Sequence, residues 1–121
     1  MFNNAGTEGS PTARICEFDY GDFKKTFDVH VYGAFLAAKH VARVMVPTRM
    51  GSILFTASLT AVTASDAPHT YVAAKHAVVG LARNLGVELG QHGIRVNSIS
   101  PFLVPTALSR EGFGGVDDEM I

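Results

Sequence analysis

Apolar positions recur along this chain at two spacings. Phe23, Phe27, Val31, Phe35, Ala38, Ala42 and Met45 follow one another in steps of three and four, one stripe down a helix. Asp22 is placed to cap that helix and Pro47 to stop it, which predicts a helix over 22–46. Gly33 inside it costs about 1 kcal/mol relative to Ala, unless something must approach closely there. A turn over Thr48–Gly51 leads into a short buried strand, Ser52–Ala57. The helical spacing returns at Val72, Val79, Leu81, Leu85 and Leu89, a helix over 71–90 with Thr70 as its candidate cap and Gly90 or Gly93 at its end. Ile94–Ile99 reads as the next strand, closed by Ser100-Pro101. Phe2–Gly6 looks like the end of a strand entering a loop. Residues 7–22 read as a polar loop with room for a short helical turn, and 102–121 as irregular.

Strand, helix, strand, helix, strand with short connections implies parallel strands and right-handed crossovers, an α/β layer. Ligands of such sheets bind beyond the carboxyl ends of the strands. Asn3–Gly6, Ser58 and Ser100–Thr106 all lie at such ends.

Composition narrows the picture. The 121 residues suit one modest domain, and 47% hydrophobic with 17% charged residues is globular rather than disordered. A net charge of −1, scattered, gives no support for a nucleic-acid surface or a basic membrane patch. No apolar run approaches the roughly 20 residues of a membrane span. The first residues lack the profile of a signal peptide. A single cysteine, Cys16, excludes an internal disulfide and makes a reducing compartment, the cytoplasm, the default. Cys16 itself is expected to be an ordinary buried or half-buried thiol. The five histidines show no metal-ligand spacing, so no metal is expected.

The candidate chemistry sits between the second strand and the second helix. Tyr71 and Lys75, four apart, share a helical face about 6 Å apart along the axis. An ammonium beside a phenol favours phenolate, pulling the tyrosine down from roughly 10 toward neutrality. A hydroxyl from a strand end, Ser58, would bind the substrate oxygen that such a base deprotonates.

Taken together, Asn3-Asn4-Ala5-Gly6, Ser58, Tyr71-x-x-x-Lys75 thirteen residues on, and Asn97-Ser-Ile-Ser-Pro101 with Thr106 resemble the short-chain dehydrogenase/reductase family. Four motifs in order are far more specific than Tyr-x-x-x-Lys alone, and they cover residues 2–110. Val31-Tyr-Gly-Ala-Phe-Leu, Ser52–Ser58 and Glu88–Asn97 are similar to the plant secoisolariciresinol dehydrogenase group, with xanthoxin dehydrogenase and momilactone A synthase as related members. The resemblance implies a Rossmann-like doubly wound parallel sheet, present here without its first half. Residues 1–110 would be the carboxyl-terminal part of the dinucleotide-binding domain and 111–121 an irregular tail. It implies NAD, with NADP open, and a secondary alcohol or ketone of lignan or terpenoid type as substrate. Tyr71 would be the general base, Lys75 would hold the nicotinamide ribose, and Ser58 would orient the substrate oxygen. Asn3, Ala5 and Gly6 would line the adenosine side, and Pro101, Val104 and Thr106 the carboxamide. The helices at 22–46 and 71–90 would pair with the same helices of another subunit, in a homo-oligomer or with a full-length relative.

Two departures follow from the same resemblance. Phe102 stands where the family usually has Gly after the proline, a change the plant group tolerates. His30 stands where the family usually carries an Asn that interrupts the helix and helps hold a water of the proton relay. Histidine both donates and accepts and could substitute; it is also larger and could block the water. The second reading expects His30→Asn to raise turnover in a complete enzyme. The Gly-rich phosphate turn of the family is not among these residues, and the chain reads as a fragment beginning at the fourth strand. Weak or no NAD binding by this chain alone is expected. Two functions are therefore open: an oxidoreductase by lineage, and a non-catalytic piece that associates with full-length subunits.

Overall fold

A computed structural model describes residues 1–7, 14–58 and 67–101. Three parallel strands form one sheet in the order β1 (Phe2–Asn3), β2 (Gly51–Thr56), β3 (Ile94–Ile99). Phe2 pairs with Leu54 and Asn3 with Phe55, while β2 and β3 run in step from Gly51 beside Ile94 to Thr56 beside Ile99. The strand spacing expected at the sequence level thus produces the α/β class. Ile53, Phe55 and Ala57, at alternate positions of one strand and its extension, are buried.

The expected helix over 22–46 is three pieces. They are α1 (Tyr20–Phe27), a π-helical turn (Asp28–Tyr32) and α2 (Gly33–Thr48). Asp19, not Asp22, is the cap, its carboxylate accepting the Asp22 N–H at 3.1 Å. At the π turn the Gly33 N–H reaches back five residues to the Asp28 carbonyl. The buried positions are Thr26, His30, Ala34 and Ala38, while Phe35 of the expected stripe is 54% exposed. Pro47 lies inside the last turn of α2 rather than ending it. So late in the helix proline forfeits one backbone bond, and Thr48 Oγ1, donating to the Met45 carbonyl, serves the same turn. Arg49, left-handed at φ 55°, makes the stop.

The second long helix, α3 (His69–Gly90), starts two residues before Tyr71. Thr70 is therefore inside the first turn, and Pro68 stands at the cap without a side-chain bond. Its buried face is Ala74, Lys75, Val78, Val79, Ala82 and Leu89, with Leu81 and Leu85 partly buried beside it. Alanines of α2 and α3 meet Ile53, Phe55 and Ile94 in the main core. Cys16, expected to be at least half buried, is exposed, because it sits on a single 3-10 turn (Ile15–Glu17) that buries nothing. No helix among the described residues is long and apolar enough to cross a membrane.

Candidate active site

The strand register brings the three carboxyl ends to one edge. Thr56 Oγ1 donates to Asn4 Oδ1 at 2.7 Å, tying the first two ends, and the Ala57 N–H donates to the Ile99 carbonyl at 2.7 Å, tying the last two. Ser58 is buried just beyond β2, and Pro101 is half-buried just beyond β3. Asn3 is half-buried in β1, with Ala5 and Gly6 exposed after it.

The first turns of α3 deliver Tyr71 and Lys75 to this edge. Lys75 is 5% exposed, and its Nζ donates to the Thr56 carbonyl at 3.1 Å. Burial disfavours the charge and draws its pKa down to about 8. The ammonium stands 5.7 Å from the centre of the Tyr71 ring, the juxtaposition that the four-residue spacing implied.

His30, 3% exposed, enters from the π turn. Its ring meets that of Tyr71 edge-on, centroids 5.5 Å apart and planes at 90°. Its Nε2 faces the Thr7 backbone, with the Thr7 N–H at 3.1 Å and the Thr7 carbonyl also in contact. Its Nδ1 is buried with no hydrogen-bond partner. Desolvation lowers its pKa; the Thr7 backbone contact opposes that shift and the charge of Lys75 adds to it. The ring is therefore neutral near pH 7. Lys75 bonds the Thr56 carbonyl rather than His30.

Asn3–Gly6, His30, Ser58, Tyr71, Lys75 and Pro101 thus share one edge. Val104, Thr106 and the boundary proposed at 110 lie outside the described residues. Thr7 and Thr56 complete the cluster and were not expected, and Asn4, part of the expected motif, had no role of its own. A threonine ending a strand and an asparagine beside the motif's first are visible in the sequence, but which pairs with which needs the register. A cavity of about 400 Å³ lies between the start of α1 and the first turn of α3, lined by Ile15, Phe18, Phe23, His69 and Ala73 among others, and none of the clustered residues named above lines it. Among the described residues no group of three His, Cys, Asp or Glu could hold a metal ion.

Comparison with known proteins gives the family. The family model described as enoyl-(acyl carrier protein) reductase matches residues 1–120. The chain belongs to that family, within the short-chain dehydrogenases/reductases. It is 54% identical to short chain aldehyde dehydrogenase 1 of Euphorbia lathyris over 97% of this chain and 41% of that protein. It is 50% identical to secoisolariciresinol dehydrogenase of Forsythia intermedia over 98% of this chain and 43% of that protein. The crystal structure of an NAD+-bound xylitol dehydrogenase superposes with a TM-score of 0.84 at 32% identity, covering 91% of this chain and 42% of that one. The chain thus spans less than half the length of the relatives it matches.

Proposed function

We propose that this chain carries the catalytic residues of a nicotinamide-dependent oxidoreductase that interconverts a secondary alcohol and its ketone, with a lignan- or terpenoid-like substrate. One observation carries the reading: a buried ammonium and a phenol stand together at the carboxyl edge of a parallel sheet. The edge suits the ribose end of a dinucleotide. Lys75 has three N–H donors and the Thr56 carbonyl takes one. NAD or NADP, when bound, would accept hydride from the carbinol carbon. Ser58 would hold the substrate oxygen and Tyr71 Oη would take its proton, with Lys75 favouring the deprotonated phenol. Asn3, Ala5 and Gly6 would line the adenosine side, and Pro101, Val104 and Thr106 the carboxamide, as in the family pattern. The similarity to secoisolariciresinol dehydrogenase supports the substrate class.

The test is NAD(P)+ reduction with a panel of polycyclic secondary alcohols, using this chain in place of the matching segment of a full-length relative. Activity that disappears in Tyr71→Phe supports the reading. A chimera that folds, binds cofactor and oxidises none of them overturns it.

A second reading has its own observation. α2 and α3 leave a groove lined by Phe35, Ala42, Val46, Leu81 and Leu85 among others, with Phe35 more than half exposed. We infer that these two helices pair with those of another subunit, by the same family pattern. Co-purification with a tagged full-length relative, lost in Phe35→Glu, would support this. Failure to co-purify would remove it.

A further inference from the structure

Gly6 and His30 come together more closely than two ordinary residues can. A β-carbon placed on Gly6 would stand 2.6 Å from Cε1 of His30 and 3.2 Å from its Nδ1. The backbone does not ask for a glycine here, since among the described glycines only Gly51 and Gly93 have positive φ. The ring itself is what excludes a side chain. Nor is the ring free to retreat. Nε2 is engaged by the Thr7 backbone, Tyr71 meets the ring edge-on, and the residue is almost wholly enclosed.

We propose that His30 is a positioning residue that pins the loop after β1, residues 4–7, to the π turn, and that Gly6 is glycine because the imidazole occupies the space of its β-carbon. A neutral ring carries one proton. Protonated at Nε2 the ring donates to the Thr7 carbonyl; protonated at Nδ1 it accepts the Thr7 N–H at Nε2 instead. The Thr7 backbone therefore holds the ring in either tautomer. Loop and π turn are brought together by a chain segment that includes all of α1, so one ring fixes a distance that no local turn sets. Any effect on a dinucleotide held along Asn3–Gly6 rests on the function proposed above. The clamp is read from melting and ring resonances, so the two can fail separately.

Four full-length versions of this chain test it: native, Gly6→Ala, His30→Ala and the double variant. Gly6→Ala is expected to lower the melting temperature by about 5 °C or more in the native background, and by less than about 2 °C when His30 is already Ala. In the native chain the His30 ring protons should also show nuclear Overhauser contact with Thr7, and Gly6→Ala should abolish it. Equal melting penalties in both backgrounds, or a native ring remote from Thr7, would overturn the proposal. If Gly6→Ala alone does not fold, a folded double variant upholds the clamp. A double variant that also fails, where His30→Ala folds, refutes it.

Discussion

The two ends of the helix-on-sheet layer are built to different rules. Ala34, Ala38, Ile53, Phe55, Val78, Ala82, Leu89 and Ile94 make one buried apolar cluster. Around the carboxyl edge, the buried side chains include His30, Ser58 and Lys75. His30 Nδ1 is buried there without a partner. The helix that reaches this end does so through a π turn, a device enriched at functional sites. The cluster gains its stability from packing. The edge gives some of it up to hold a cation and an imidazole out of water.

Substitutions at each end should therefore fail in different ways. Phe55→Ala removes a fully buried ring from the cluster and should cost about 3–5 kcal/mol by urea denaturation. A cost below 1 kcal/mol would erase the contrast. Tyr71→Phe should do the reverse. Alcohol oxidation in the chimera should fall about 100-fold or more, with little change in melting temperature. Lys75→Met should also abolish oxidation yet stabilise the fold by about 1–2 kcal/mol, because it removes a buried charge.

The same lysine sharpens the contrast through pH. Unfolded, Lys75 keeps its proton to its ordinary value of 10.5; folded, it gives it up near 8. Between those values the unfolded state binds more protons, so stability should rise with pH across the window. The rise should be missing from Lys75→Met, and an identical pH profile in the two proteins would remove Lys75 as its source. The smallest effect belongs to neither end. Gly80 lies exposed on α3 with open space around it, so Gly80→Ala should stabilise by about 0.5–1 kcal/mol without touching activity.

The sequence carried the edge better than the layer behind it. The strand Ile94–Ile99 and the Tyr71–Lys75 pair are local patterns, and local patterns survive folding. The buried face of the first long helix survived only in part. Its expected stripe includes Ala38, which is buried, and Ala42 and Met45, which pack half-buried against the core, but it also includes Phe35, which is exposed, and leaves out Ala34, which is buried. The π turn also shifts every later position; the periodicity of Asp28–Tyr32 does not announce it, and only the family resemblance, with a helix interruption at position 30, pointed to it. Thr7 was invisible as a site residue because its link to His30 spans twenty-three positions. Cys16 was misplaced because a thiol's general preference for burial gave no account of its own turn.

The seam between β2 and β3 fixes where the layer opens last. Its six paired positions run from Gly51 beside Ile94 to Thr56 beside Ile99, and Ile53, Phe55 and Ile94 along it are buried. Amide hydrogens of that seam should exchange only through openings that also expose the core. The Thr56 carbonyl at the end of the seam holds the Lys75 ammonium, so the lysine is moored to the most slowly exchanging part of the sheet.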